Sequence, residues 1–224
     1  MAYKTCISIG ENTPNKIRTK LKVALKKSDY VEIRLDFLKS EQIPKTLEII
    51  KKDLNKVVCT LRPKTEGGKF TGNEKERISI IKLIAEYNPF LLDIEFNTLN
   101  KNKELFRYLK STKTQLLVSW HDFKKTPKNS ELKNKIKQMS KFSINVKIVS
   151  TAKSTDDSTR MLELYNNKGK NNLISFAMGD FGRISRILCL YLGSPYTYVS
   201  LGKAIAPGQF SVDEVKKIIN LKKK

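Results

Sequence analysis

The sequence predicts an α/β protein that forms one (β/α)₈ barrel domain over residues 1–224. Eight short apolar segments rich in β-branched residues alternate with eight segments of helical spacing. Such alternation favours a parallel sheet with right-handed crossovers, and closure into a barrel leaves no edge strand. The alternative is an open, doubly wound sheet. It is disfavoured because no G-x-G-x-x-G loop follows the first apolar segment.

The predicted elements follow one another along the whole chain. The strands are predicted at residues 6–9, 30–35, 56–61, 90–95, 115–119, 145–149, 173–177 and 197–201. The helices are predicted at residues 14–27, 45–54, 74–86, 102–110, 130–141, 155–166, 183–192 and 212–221. Pro14 suits the first turn of a helix, and no linker rich in proline, glycine or serine divides the chain.

The formal net charge of +22 raises the alternative of a basic protein that binds nucleic acid. The lysines are scattered over polar helix faces, however, and no zinc-finger, helix-turn-helix or RNP-like motif accompanies them. We therefore expect a lysine-rich enzyme surface and no nucleic-acid partner. The three separated cysteines, the lack of an apolar leader and the lack of a membrane-length segment predict a cytoplasmic protein that does not bind a membrane.

Charged residues cluster where the predicted strands end, which is the active face of a (β/α)₈ barrel. Glu32, Arg34 and Asp36 alternate with apolar residues and are expected to project to one face, into the barrel. Arg62 follows the third strand and leads into a loop with paired glycines. A salt-bridged surface loop is the alternative to a functional role for this arginine. The fourth strand ends in Asp93-Ile94-Glu95.

Two residues on successive strands carry the strongest chemical signal. Lys147 lies in mid-strand, where burial of an ammonium group is costly and a deprotonated amine would be a nucleophile for a carbonyl carbon. A structural ion pair with Glu32 or Glu95 is the alternative role for this lysine. His121, the single histidine of the chain, follows the fifth apolar run and can act as both acid and base near neutral pH.

The last third of the chain holds candidate groups for an anionic substrate. Glycines precede a predicted helix that begins with Arg183 and Arg186, and a guanidinium group can bind a carboxylate in bidentate geometry. The loop over residues 203–210 contains Pro207-Gly208-Gln209. It is predicted to close over the substrate, with Gln209 reaching it.

These segments resemble type I 3-dehydroquinate dehydratase, the Schiff-base enzyme of the shikimate pathway. The ordered motifs are E-x-R-x-D, T-x-R-x-x-x-E-G-G, D-I-E, S-x-H-D-F, V-K-I, M-G…I-S-R and A-P-G-Q, and they run from Glu32 to Gln209. Each motif alone is weak evidence, whereas seven in order at strand ends are specific. One position departs from the pattern, because Ile205 stands where many members have a small hydroxyl residue before A-P-G-Q.

The resemblance implies a lyase without cofactor or metal that removes water from 3-dehydroquinate by syn elimination. Lys147 would form an imine with the C3 ketone, and His121 would remove a C2 proton and later protonate the departing C1 hydroxyl. Glu66 would orient and polarise His121, and Arg186 would pair with the ring carboxylate. The remaining substrate-binding residues implied are Glu32, Arg34, Arg62 and Gln209. The family often forms homodimers.

Three alternatives to the dehydratase remain. A class I aldolase or transaldolase also uses a barrel lysine, but it needs no histidine paired with the glutamate of E-G-G. A nucleic-acid-binding barrel would bind with a steep salt dependence that is independent of Lys147. A barrel without activity that serves as a binding scaffold is disfavoured because each residue of the imine chemistry is present.

Overall fold

The structure, a computed structural model, describes residues 3–202 and 204–220. Eight strands and nine α-helices occupy this part of the chain. The strands are β1 Thr5–Ile9, β2 Tyr30–Arg34, β3 Val57–Thr60, β4 Leu91–Glu95, β5 Leu116–Asp122, β6 Asn145–Thr151, β7 Asn172–Met178 and β8 Thr197–Ser200. The helices are α1 Pro14–Leu25, α2 Ile43–Ile50, α3 Glu74–Glu86, α4 Phe96–Lys101, α5 Lys103–Ser111, α6 Asn129–Met139, α7 Thr155–Glu163, α8 Ser185–Tyr191 and α9 Val212–Asn220. Lys203 and the predicted end of the last helix at residue 221 lie outside the described residues.

The strands form one eight-stranded sheet in the order β7-β6-β5-β4-β3-β2-β1-β8. Strands that follow one another in the chain are therefore neighbours, and the last strand lies beside the first. The pairs β2·β3, β3·β4 and β6·β7 are parallel, and Lys147 of β6 is in register with Ile174 of β7. This order is the one predicted from the regular alternation of strands and helices.

The chain divides into two compact units. The N-terminal unit is Ser8–Leu117, and the C-terminal unit combines residues up to Ile7 with those from Val118 onward. The expectation of one domain over residues 1–224 remains a prediction.

In the N-terminal unit, local signals begin α1 and α3 at the residues that the sequence analysis predicted. Thr13 caps α1 by accepting a hydrogen bond from the Lys16 amide, with Pro14 in the first turn. Asn73 caps α3 in the same way through the Glu76 amide. One face of α1 is buried at Ile17, Leu21 and Ala24, because apolar residues three or four positions apart lie on the same side of a helix.

In the C-terminal unit, the buried core lies along β6, β7 and β8 under α7 and α8. Ser154 caps α7 by accepting a hydrogen bond from the Asp157 amide. The Ser185 hydroxyl accepts a hydrogen bond from the Ala177 amide and donates one to the Gly182 carbonyl, which ties the start of α8 to β7. The Thr197 amide of β8 donates to the Lys4 carbonyl at 3.2 Å, just before β1.

Besides shifts of a few residues in several element bounds, three differences from the prediction concern the strand ends that carry candidate site residues. The strand β5 continues through His121 to Asp122, so the histidine lies in the strand rather than after it. The short helix α4 was not predicted. The strand β2 ends at Arg34, and Asp36 lies in a 3₁₀ helix, Leu35–Phe37. The expectation that Asp36 shares a strand face with Glu32 and Arg34 was therefore wrong.

Of the residues that the structure describes, none belongs to a helix long and apolar enough to cross a membrane.

Candidate active site

Lys147 lies at the centre of β6 and is 6% exposed. Its neighbours in the strand, Val146 and Ile148, are fully buried, so both sides of β6 are covered at this point. The Nζ atom of Lys147 lies 4.2 Å from the centroid of the buried Tyr198 ring on β8. The face of an aromatic ring attracts an ammonium group and in part replaces its lost water. The structure therefore places an amine of low exposure against an apolar wall in the C-terminal unit.

His121 lies near the end of β5, the strand that precedes β6 in the sheet, and is partly exposed. Its ring stacks on that of Phe123, with the ring centroids 5.9 Å apart. The strand ends at Asp122, the residue after His121, whose carboxylate accepts hydrogen bonds from the amides of Lys124 and Lys125. This turn holds the imidazole at the rim, where a group that exchanges protons with a substrate is needed.

Arg186 lies in the first turn of α8 and is 2% exposed. One Nη atom donates to the Pro207 carbonyl at 3.0 Å, and the guanidinium stacks on Phe176 at 4.3 Å from the ring centroid. Burial lowers the pKa of Arg186 to about 10, so the group is still cationic at neutral pH. Across residues 3–202 and 204–220, no carboxylate pairs with it and its Nε atom has no hydrogen-bond partner. A buried cation of this kind favours an anionic ligand.

The loop after β8 is folded on itself and against α8. The Gln209 side chain is 8% exposed, and its Oε1 atom accepts a hydrogen bond from the Ile205 amide at 3.1 Å. Ile205, which departs from the family pattern, therefore donates a hydrogen bond within the loop through its backbone amide. Arg183 does not join Arg186, because its guanidinium stacks on Phe210 and pairs with Glu214 at 3.1 Å.

In the N-terminal unit, the polar residues of β2 are held by specific partners. Glu32 is buried and accepts a hydrogen bond from the Thr60 hydroxyl of β3 at 2.9 Å. Arg34 donates to both carboxylate oxygens of Asp36, at 2.8 and 2.7 Å, and its guanidinium lies 5.2 Å from the Phe37 ring centroid. Asp36 thus orients Arg34, a role different from the one predicted for it.

Arg62 is a buried residue rather than part of an exposed ion pair in a loop. It is 3% exposed and donates from its two Nη atoms to Asp93 and Glu95, each at 2.7 Å. Burial lowers the pKa of Arg62, but the charges of Asp93 and Glu95 outweigh this effect and raise it above its ordinary value. The guanidinium therefore stays charged at the carboxyl ends of β3 and β4.

Glu66 ends a 3₁₀ helix, Lys64–Glu66, in the loop after β3. Its Oε1 atom accepts a hydrogen bond from the Asn97 amide group at 3.1 Å. Burial, assisted by the charge of Glu95 and opposed by that of Arg62, raises the pKa of Glu66 to about 7. A carboxyl group with this pKa can exchange a proton near neutral pH.

Gly68 is required because its backbone closely approaches the backbone of Arg62. A Cβ atom added to Gly68 would lie 2.0 Å from the Arg62 carbonyl oxygen. The Gly68 amide donates to the Pro63 carbonyl at 2.9 Å, which turns the loop back over the end of β3. The E-G-G motif therefore places Glu66 beside Arg62 in this unit.

A family model described as type I 3-dehydroquinase matches residues 5–224. The chain belongs to this family. Membership confirms the resemblance stated from the motifs and the prediction of an enzyme of the hydro-lyase class.

Relatives and solved structures of similar length agree with this membership. The 3-dehydroquinate dehydratase of Methanocaldococcus jannaschii is 34% identical over 224 residues, which cover 96% of this chain and 97% of the relative. That of Methanococcus maripaludis strain C6 is 37% identical over 218 residues, or 95% and 96% of the two chains.

Two crystal structures of 3-dehydroquinate dehydratases share the fold of this chain. The enzyme from Geobacillus kaustophilus HTA426 has a TM-score of 0.90 at 24% identity and covers 100% of this chain and 92% of its own. The enzyme from Aquifex aeolicus VF5 has a TM-score of 0.80 at 28% identity, with 97% and 98% covered. The predicted (β/α)₈ barrel class is thereby confirmed.

Three buried residues of this type I dehydroquinase that contact its candidate site residues were not singled out from its sequence. The Tyr198 ring packs against the Nζ atom of Lys147, and the Phe176 ring packs against the guanidinium of Arg186. Arg77 of α3 was also missed, although it shares a helical stripe with the buried Ile81. The signal was available, because an arginine in an apolar stripe predicts a buried partner.

Proposed function

We propose that the protein catalyses the dehydration of 3-dehydroquinate to 3-dehydroshikimate through a Schiff base on Lys147, the third step of chorismate biosynthesis. The observation that carries the proposal is the low exposure of Lys147 against the Tyr198 ring in a chain of this family. An amine shielded from water is suited to attack a carbonyl carbon.

The reaction begins when the Nζ atom of Lys147 adds to the C3 carbonyl and water leaves. The resulting iminium group withdraws electrons and acidifies the adjacent C2 protons. His121 then takes one C2 proton, the C1–O bond breaks, and His121 returns the proton to the departing hydroxyl as water. Hydrolysis of the imine releases the product and restores Lys147. No step needs an oxidant, a reductant or a metal ion.

Recognition of the substrate is assigned to the residues that the motifs named. Arg186 would bind the ring carboxylate, which supplies the anion that this buried guanidinium favours. The family resemblance assigns the remaining groups to the same reaction. It assigns to Glu66 the orientation and polarisation of His121. The substrate contacts that it assigns are Glu32, Arg34, Arg62 and Gln209. We further propose a cytoplasmic homodimer without cofactor and without a nucleic-acid partner.

Borohydride trapping with 3-dehydroquinate tests the proposal. The wild-type protein should gain one reduced ligand by intact mass, and peptide mapping should place it on Lys147. Lys147→Arg keeps a cation that can stack on Tyr198 but cannot form an imine, so it should show neither adduct nor turnover. Lys153→Arg is the matched control, because Lys153 is an exposed lysine just beyond the same strand. It should behave like the wild type.

Two results would overturn the proposal. A folded wild-type protein that neither turns over 3-dehydroquinate nor forms an adduct excludes the activity. If Lys147→Arg still turns over 3-dehydroquinate, the substrate assignment stands but the Schiff base on this lysine is excluded.

A further inference from the structure

Arg77 is an arginine on the buried side of helix α3. It is 1% exposed, and it shares its helical face with Ile81, Ile84 and Ala85, which are also buried. An arginine is seldom fully buried unless its charge is paired. Its position in the apolar stripe therefore requires a specific set of partners.

Every N–H group of the Arg77 guanidinium has an acceptor. The Nε and Nη2 atoms donate to the two carboxylate oxygens of Glu74, each at 2.8 Å. The Nη2 atom also donates to the Thr98 hydroxyl at 2.6 Å, and the Nη1 atom donates to the Leu61 carbonyl at 3.3 Å. The remaining bond, from Nη1 to Glu95 at 2.7 Å, connects α3 to the end of β4.

Glu95 bridges two arginines. Its Oε2 atom accepts from Arg77 and its Oε1 atom accepts from Arg62, each at 2.7 Å. Arg62 has a second carboxylate partner, Asp93, at 2.7 Å. Glu95 is only 1% exposed, and its Oε2 atom also accepts a hydrogen bond at 3.3 Å from the Thr98 hydroxyl, which is itself held by Arg77. Its orientation, and with it the direction of Arg62, depends on both guanidinium groups.

We propose that Arg77 is a positioning residue that fixes the guanidinium of Arg62 through Glu95. The role rests on the proposed function, in which Arg62 binds the substrate. A lysine at this position would preserve the charge but not the five donors, so Glu95 would lose its planar, two-sided support. The expected consequence is weaker substrate binding without loss of the imine chemistry.

The kinetic test compares Arg77→Lys with Arg107→Lys, an exposed arginine of the neighbouring helix α5. Arg77→Lys should raise KM for 3-dehydroquinate by roughly ten- to a hundredfold, because a small misplacement of a binding group has effects of this size. Its kcat and its borohydride adduct should stay within about twofold of the wild type, and Arg107→Lys should leave both constants unchanged. A purely structural role would lower the folded fraction and leave KM unchanged, and that result overturns the proposal.

A double-mutant cycle tests whether Arg77 acts through Arg62. In the Arg62→Lys background, Arg77→Lys should have little further effect on KM, since the group that it positions is already gone. If the KM of the double variant instead equals the product of the two single-variant increases, the two arginines act independently, and that result overturns the proposal. If Arg77→Lys does not fold, Glu74→Gln replaces it, because the Glu74 side chain is 57% exposed and supports the opposite edge of Arg77. It should give a smaller KM increase of the same kind.

A measurement on the substrate-free protein separates this proposal from the proposed function. ¹⁵N NMR of arginine side chains should show slowed rotation of the Arg62 guanidinium in the wild type and in Arg107→Lys, and faster rotation in Arg77→Lys. Unchanged rotation in Arg77→Lys overturns the proposal whether or not the protein is a dehydratase. If the rotation changes as expected but the protein does not turn over 3-dehydroquinate, the positioning of Arg62 is supported and only the proposed function is excluded.

Discussion

The Nζ atom of Lys147 lies 4.2 Å from the centroid of the Tyr198 ring, and both side chains are buried. Their strands, β6 and β8, belong to one compact unit. The face of the Tyr198 ring packs against the Lys147 side chain and fixes the position of its Nζ atom. Since these two strands set the position of the amine, imine formation is separable from the proton transfer assigned to His121 on β5.

His121→Ala should stop elimination while the imine still forms. Loss of a general acid–base group lowers kcat by about 10²- to 10⁴-fold. Borohydride should nevertheless trap a ligand on Lys147, as measured by intact mass. Phe123→Leu is the control, because Phe123 stacks on the imidazole but is 48% exposed, and it should keep most of the activity. A near-normal kcat in His121→Ala would exclude the base assignment.

Glu66 should make stability fall as pH rises from about 4.5 to about 7. Burial raises the pKa of its carboxyl group to about 7 from an ordinary value of 4.5, so the folded state holds a proton that the unfolded state releases in this window. The full pKa shift corresponds to about 3 kcal/mol of unfolding free energy. Because solvent screens this partly exposed group, the expected loss of stability is roughly 1–2 kcal/mol.

Urea denaturation of the wild type, Glu66→Gln and Glu104→Gln at pH 5 and pH 8 measures this effect. Glu66→Gln should lose that part of the pH dependence, and Glu104→Gln, which changes an exposed carboxylate of α5, should retain it. The kcat profile of Glu66→Gln should also lose an ionisation near pH 7. Identical pH dependence in all three proteins would contradict the raised pKa.

Arg186→Met should weaken substrate binding without destabilising the fold. The buried guanidinium has no carboxylate partner among the described residues, so its replacement by an apolar side chain removes a desolvated charge and strands no counter-ion. KM should rise at least tenfold, because the variant loses one charge-assisted hydrogen bond to the substrate, which contributes about 1.5–3 kcal/mol to binding. The midpoint of urea unfolding should stay the same or increase.

Arg183→Met is the comparison for this prediction. Arg183 is half-exposed and already paired with Glu214, so KM should change by less than about twofold, as is usual for surface ion pairs. An equal KM increase in both variants would show that the basic field of the helix, rather than Arg186 itself, binds the carboxylate.

Gly208→Ala should disturb the loop after β8 more than Gly202→Ala does. Both glycines have a positive φ, +70° and +86°, so alanine strains both by about 1 kcal/mol. Only at Gly208 would the new Cβ meet another segment, 3.1 Å from the Gly179 carbonyl oxygen. KM should therefore rise clearly in Gly208→Ala and little in Gly202→Ala. Equal KM values would mean that this loop does not contribute to binding.

Much of the fold was predictable because the information is local. Periodicity places the eight strands and most of the helices, and Thr13 and Asn73 begin their helices through hydrogen bonds within three residues. The end of β2 was not predictable in this way. Asp36 continues the alternating pattern, but its carboxylate accepts two hydrogen bonds from Arg34 and lies in a 3₁₀ turn.

The sequence by itself determined the order of strands and helices, the family, and the presence of Lys147 in the middle of a buried strand. The tertiary structure alone decided which charges pair. Arg62 takes two partners, Asp93 and Glu95, that are 31 and 33 residues away, whereas Arg186 takes none among the described carboxylates. Hydrophobic periodicity depends on near neighbours in the chain. Ion pairs between distant residues depend on sheet register and helix packing, which exist only once the chain has folded.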